Sequence, residues 1–286
     1  MAMQKRCPNT TIVSVGDREA NIYELCELAL REPGNPLLLV RAERDRLLAD
    51  DQGHLWEHVA AQDRSGIQEV RIPRRGLQKA RTARLEVRFA QVRLKPPKLK
   101  AKHEQLTIWA IITEEIDALA GVTPLQWMLL TTRIIDGFEI ATEVIGWYCL
   151  RWEIEIYHRT LKSGCKIETR QLGAADRIEA CLAIDMVVAW RVFHLAKLGR
   201  ETPDVPCTVF FSECEWKALV VYKTKNPIPP QNPPTLRDAM RMVGGLGGFL
   251  GRKGDGEPGS QTIWLGLQRL DDITETWKFI TDFPRI

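Results

Sequence analysis

The 286 residues predict an α/β protein with a mainly β, strongly basic segment in its middle and a helical C-terminal region. Three observations carry this. Residues 11–15 and 37–40 are short β-branched or aliphatic runs flanking an amphipathic stretch, 17–32, with Leu25, Leu28 and Ala29 at helical spacing; strand, helix and parallel strand follow. Between 66 and 117, apolar and polar residues alternate, as in Leu85, Val87 and Phe89 against Glu86 and Arg88, the pattern of a half-solvated antiparallel strand. Beyond residue 138 helical periodicity takes over.

Element by element, Pro33-Gly34-Asn35-Pro36 breaks the first helix. A short helix is predicted over about 50–62, and strands over 67–72, 83–89, 92–95, 106–113 and 126–132. A long helix follows from about 138 to 163, stopped by Gly164. Another spans 175–198, with Ala183, Met186, Val187 and Trp190 as its apolar stripe. A Pro-rich linker (227–234), a Gly-rich patch read as a flexible loop (244–259) and helices near 236–242 and 267–280 complete the chain.

No apolar run reaches the roughly 18 residues of a membrane span, and Met1-Ala2-Met3-Gln4-Lys5-Arg6 leads into Pro8 without the apolar core of a signal peptide, so a cytoplasmic protein is expected. The seven cysteines form no C-x-x-C pair and read as reduced thiols. The net charge is +3, yet Arg71 to Lys102 holds twelve Lys/Arg and one acid, Glu86, leaving −8 for the remainder. From charge alone that block is equally a solvated ribbon or a phosphate-binding face.

The sharpest chemical signal lies on the long helix. At about 100° per residue, with Tyr148 as origin, Arg151, Glu155 and Lys162 fall near about 300°, 340° and 320°. One carboxylate thus shares a stripe with a phenol and cations, while Trp147, Leu150, Ile154, Tyr157 and Leu161 form the opposite, core-facing side. On spacing alone a surface helix with ion pairs accounts for this, Arg151 to Glu155 being worth about 0.5 kcal/mol. The literal pattern Y-x-x-R-x-x-x-E-x-x-x-x-x-x-K, within Arg151-Trp152-Glu153-Ile154-Glu155 and onward to Lys162, resembles the Y-R-E-K signature of the insertion-sequence type-four DDE transposases, the C-terminal part of which the chain is similar to. Val13-Ser14-Val15-Gly16-Asp17-Arg18-Glu19-Ala20 resembles that family's strand end with its second catalytic aspartate. Residues 123–132, with Pro124, Leu125 and Trp127, and Leu246-Gly247-Gly248-Phe249-Leu250 with Trp264 and Trp277, resemble further family segments.

The resemblance implies an incomplete RNase H-like core (1–40 and 118–200) interrupted by a basic, mainly β insertion (41–117) that faces DNA, and a helical C-terminal dimerisation region (201–286). It implies cut-and-paste DNA cleavage and strand transfer, with Asp17 and Glu155 as catalytic acids holding Mg²⁺ or Mn²⁺. Tyr148, Arg151 and Lys162 would grip phosphates, and Trp127 would stack on a flipped base; as a strand residue Trp127 is equally a core side chain. Arg41, Arg44 and Arg46 follow the second strand and by position reach DNA. The expected partners are DNA (transposon ends and target) and a second transposase, as homodimer or as heterodimer with the full-length enzyme, at the bacterial nucleoid and without a membrane.

The family has three acids, the first on an opening strand far upstream. Only sixteen residues precede Asp17 and none is Asp or Glu. The expectation is an N-terminally shortened, catalytically incomplete chain with an exposed sheet edge. Two rival readings stand beside it. One is a non-catalytic DNA-binding or dimerising module that interferes with intact transposase. The other is a zinc peptidase, from His54-Leu55-Trp56-Glu57-His58, which matches H-x-x-E-H but has no identifiable third ligand and reads better as structural histidines. Gly251-Arg252-Lys253-Gly254-Asp255-Gly256 lacks the G-K-[ST] of a phosphate loop.

Overall fold

The computed structural model describes residues 4, 6–31, 34–72, 81–97, 103–119 and 121–282. Arg74, Arg75, Lys79, Lys98, Lys100 and Lys102 of the basic block lie outside them. The chain divides into two compact units, Met1–Trp152 and Glu153–Ile286.

The first unit is mixed α/β. Its six-stranded sheet has the order β1-β2-β6-β5-β4-β3. β1 (Val13–Gly16) and β2 (Leu37–Arg41) are parallel and joined through α1 (Tyr23–Arg31), as the strand-helix-strand pattern requires. β6 (Gln126–Thr131), β5 (Leu106–Ile116), β4 (Arg81–Leu94) and β3 (Gly66–Ile72) continue antiparallel. α2 (Leu55–Ala60) and α1 cover one face, burying Tyr23, Cys26, Leu55 and Val59 against Val40, Val92, Leu94 and Met128. α3 (Phe138–Leu150) covers the other, burying Val144 and Ile145 against Leu39, Leu85, Val87 and Leu129. Gly66 lets β3 pass beneath α3: an added Cβ would lie 2.5 Å from the Phe138 ring.

Where two strands were predicted, over 83–89 and 92–95, there is one strand of 14 residues. Its buried side changes midway. Ala83, Leu85 and Val87 sit under α3, whereas Val92 and Leu94 belong to the opposite face under α1 and α2. Alternation with period 2 cannot bury both sets on one face, and the phase change reads in sequence as a break. The polar positions of β4 find carboxylates. Arg81 pairs with Glu115, Arg84 with Asp117 (2.9 Å), Arg88 with Glu86 and Glu114, and Arg93 with Asp50 (2.9 Å). The described part of the basic block is therefore largely charge-compensated by neighbouring acids.

The predicted helix 138–163 is not continuous. α3 stops at Leu150, Arg151 forms a turn whose N–H donates to the Tyr148 carbonyl (3.1 Å), α4 runs over Trp152–Arg159, and Thr160–Gly164 closes as a π-turn. The Thr160 hydroxyl donates to the Ile156 carbonyl at 3.0 Å, a back-bond that bends helices. A uniform 100° projection does not survive these breaks, and Leu150 and Ile154, which it placed in the core, are exposed.

The second unit is helical. Beyond α4 it contains α5 (Ala175–Glu201), α6 (Glu213–Thr224), α7 (Leu236–Leu246) and α8 (Ser260–Asp282). Its core joins Val192 and Leu195 of α5 to Trp216 and Leu219 of α6, Met240 and Val243 of α7, and Ile263 and Leu270 of α8. Ser212 and Glu215 form a reciprocal capping box on α6, and Thr235 caps α7. α5 reverses one expectation: Val187 and Trp190 of its apolar stripe are 69% and 54% exposed, while Ala189, Val192, Phe193 and Ala196 are buried. The Gly-rich segment is also not a free loop. Arg241 donates to the Gly256 carbonyl (2.9 Å) and Glu257, Arg237 to Glu257 (2.8 Å), and Arg200 to the Pro258 carbonyl (3.0 Å).

Candidate functional site

Asp17 follows β1 directly. It belongs to the odd-numbered series Val13, Val15, Asp17 on the sheet face that carries α3, just as Arg41 ends the series Leu37, Leu39, Arg41 on parallel β2. Two candidate side chains thus emerge at neighbouring carboxyl ends of parallel strands. Gly16 makes the turn after β1 possible: an added Cβ would lie 2.4 Å from the Ala20 Cβ and 3.4 Å from Val40 Cγ1. Gly16→Ala is therefore expected to push the Asp17 turn off the strand end and to cost about 1–3 kcal/mol. An unchanged urea midpoint would contradict this.

The C-terminal end of α3 reaches the same place. The Tyr148 hydroxyl lies 3.3 Å from Asp17 Oδ1, and Arg151 Nη2 lies 3.3 Å from Asp17 Oδ2. The Arg18 amide also donates to Oδ1, at 2.9 Å. A guanidinium at a helix carboxyl end is favoured by the helix dipole. Arg151 lies against two rings, 5.8 Å from the centre of Tyr148 and 5.3 Å from that of Trp152. Arg41 donates to the Gln126 carbonyl (3.0 Å) and sits close enough to Tyr148 to act on its ionisation. Burial raises the Tyr148 pKa, and the Asp17 charge raises it further against the opposing pull of Arg41 and Arg151. At neutral pH Tyr148 is a phenol that donates to Asp17. Trp127 meets Tyr148 edge to face at 5.2 Å and is only 8% exposed, packed among the core residues beneath α3.

Five of the nine residues singled out from sequence for catalysis or DNA contact thus meet in the first unit: Asp17, Arg41, Trp127, Tyr148 and Arg151. Glu155 and Lys162 belong to the second unit. Glu155 is half-buried on α4, and Lys162 forms an exposed ion pair with Glu168 (2.9 Å) in and beyond the π-turn. Trp152, Gly16, Asn21 and Arg46 were not recognised from sequence as supporting this cluster. The Arg151-Trp152 dipeptide was the available hint; the others depend on pairings distant in the chain. Arg46, expected to reach DNA, instead turns inward onto Asn21.

For a divalent cation, the first-unit cluster offers one carboxylate, and both its oxygens already face donors. Among the described residues no three His, Cys, Asp or Glu side chains converge as a metal-holding group. These residues by themselves do not make a divalent-cation site. They suit an anion better: one guanidinium, Arg151, and the Tyr148 phenol lie on a single carboxylate, itself 42% exposed, and a second guanidinium, Arg41, lies beside that phenol. His54 caps the start of the six-residue α2 from outside and lies 3.6 Å from Asp45, so the two histidines of the H-x-x-E-H match do not share a helix.

The first unit is thus an α/β domain with a cluster of Asp17, Tyr148, Arg151 and Arg41 at its strand ends, joined in sequence to a helical region. Residues 187–284, from within α5 through α8, match the family model of the transposase Tn5 dimerisation domain. The C-terminal region of the chain is therefore similar to that of a Tn5-like transposase. Among the described residues no helix is long and apolar enough to cross a membrane.

Proposed function

We propose that the chain is a DNA-binding, self-associating polypeptide of the Y-R-E-K type of DDE transposase, acting on DNA in the cytoplasm. Asp17 and Glu155 are its catalytic carboxylates, on an RNase H-like core. The observation that carries the reading is the convergence of Asp17, Tyr148, Arg151 and Arg41 at the ends of β1, β2 and α3. A cluster with excess positive charge beside one strand-end acid is what gripping a phosphodiester next to a metal-binding carboxylate requires. Mg²⁺ or Mn²⁺ would be held by Asp17 and Glu155 only with further oxygen ligands, because the first-unit donor set is incomplete. On this reading the 286 residues bind DNA but do not cut it by themselves. Arg41, Tyr148, Arg151 and Lys162 contact phosphates, and Trp127 is the ring on which a flipped base would stack.

The second reading is a module that pairs with intact transposase and interferes with it; the family match over 187–284 is compatible with it and with the first reading alike. The test is a gel shift on a transposon-end duplex over a salt series, with Mg²⁺-dependent cleavage followed in parallel. Arg41→Ala and Arg151→Ala are each expected to weaken binding and to lower the slope of log K against log salt by about 1. No binding at low salt sinks the reading as a whole. Cleavage abolished by Glu155→Ala keeps the transposase assignment but overturns the proposed inactivity.

A further inference from the structure

The turn that carries Asp17 is also held from the sheet face that carries α1. Arg46 lies in the loop after β2, and its Nη2 donates to Asn21 twice, to the main-chain oxygen at 2.8 Å and to Oδ1 at 2.9 Å. Asn21 closes the turn: its N–H donates to the Arg18 carbonyl (3.0 Å), while the Ala20 N–H donates to that of Asp17 (2.9 Å). Burial of the Arg46 guanidinium lowers its pKa from the usual arginine value, against the opposing influence of Cys26 and Tyr23. Its Nε and the Asn21 Nδ2 are buried without a partner. Burying a cation and leaving donors unmet is unfavourable, and an apolar side chain would fill the same space more cheaply. Packing alone does not account for an arginine here.

We infer that Arg46 is a positioning residue for the Asp17 carboxylate: by locking Asn21 it fixes the Asp17–Asn21 turn and keeps both carboxylate oxygens facing Tyr148 and Arg151. The inference rests on the assignment of Asp17 to the functional site. Arg46 does not touch the cluster itself; it acts through the turn.

Amide hydrogen exchange on the full chain tests this, because the Arg18 amide is bonded to Asp17 Oδ1 and reports the carboxylate directly. In Arg46→Met the amides of Arg18, Ala20 and Asn21 are expected to exchange about tenfold faster, the weight of a charge-assisted hydrogen bond. The amides that join β2 to β6, such as Ala42 to the Met128 carbonyl, keep their rates, and Arg46→Lys restores part of the protection. Asn21→Ala, which removes one acceptor and no charge, is expected to give a smaller acceleration at the same amides, and it serves if Arg46→Met does not fold. Unchanged exchange at the turn, or acceleration equal to that at β2 and β6, overturns the inference whatever the chain does with DNA. Local acceleration combined with wild-type DNA binding in both Asp17→Ala and Arg151→Ala leaves the Arg46 role standing and removes the functional reading of the cluster.

Discussion

Gly266→Ala is expected to be among the most damaging single-methyl changes in the helical unit. α7 and α8 cross backbone to backbone: a Cβ on Gly266 would lie 1.9 Å from the Val243 carbonyl oxygen, and one on Gly247 would lie 1.8 Å from that of Thr262. Neither neighbour is a side chain that can rotate away, so the helices must separate. Separation opens the core between Met240, Val243, Ile263 and Leu270. Overpacking typically costs 1–3 kcal/mol; with main chain as the obstacle we expect about 3 kcal/mol or more, lowering the midpoint of this unit by about 10 °C. Gly259→Ala is the control, since nothing lies within 4 Å of a Cβ there, and it should change stability by no more than about 0.5 kcal/mol. Calorimetry decides the matter, and a Gly266→Ala midpoint within 2 °C of the Gly259→Ala midpoint, roughly the shift of a surface change, would contradict the crossing. Because the crossing lies inside the segment that matches the dimerisation domain, the proposed self-association should weaken in parallel, as read by sedimentation equilibrium.

Removing the Glu115 carboxylate has the largest effect expected in the sheet unit. Its side chain is 2% exposed, and both oxygens are engaged by Arg81, one of them at 2.9 Å, while the Leu125 amide donates to the same oxygen at 2.9 Å. Glu115→Ala leaves a guanidinium that is 17% exposed and a main-chain N–H without their acceptor. Breaking one side of such a pair costs about 3 kcal/mol. Arg81→Ala combined with Glu115→Ala should cost less than the two single changes added together, because the uncompensated charge is then gone. The Arg81 hydrogen bond holds the Glu115 pKa below the ordinary carboxylate value, against the upward push of burial. The sign follows: the unfolded chain takes up this proton first, so the contribution is complete above the unfolded value of about 4.3 and is lost as pH falls through the lower folded value. Stability of the native chain should thus decline on acidification below about pH 4, and Glu115→Gln should flatten that decline. An identical acid limb in Glu115→Gln would refute the assignment.

The parallel β1-α1-β2 unit was readable because short buried strands and an amphipathic helix carry their periodicities locally. Asp17, Tyr148 and Arg151 were found through a motif, and the motif's residues that lie in one unit do converge. The face switch of β4 was not readable. Ala90 and Gln91 carry no turn signal, and only the helices on opposite faces reveal why the apolar phase changes there. The breaks at Arg151 and Thr160 escaped for a related reason: each residue is compatible with a helix, and the altered ladder appears only in the backbone hydrogen bonds.

By itself, then, the sequence determined the local elements and the chemical types at the candidate site, since propensity, periodicity and motif spacing are properties of neighbouring residues. Tertiary structure alone decided which charges are spent internally. Arg81, Arg84, Arg88 and Arg93 look like one basic strand until β5 and the adjoining loops bring carboxylates to them, whereas Arg151 pairs with the strand-end acid Asp17 and Arg41 lies beside Tyr148. Likewise the α7–α8 crossing needs two glycines nineteen positions apart to meet. Charge compensation and close backbone approach are relations between residues distant in the chain, and no local pattern encodes them.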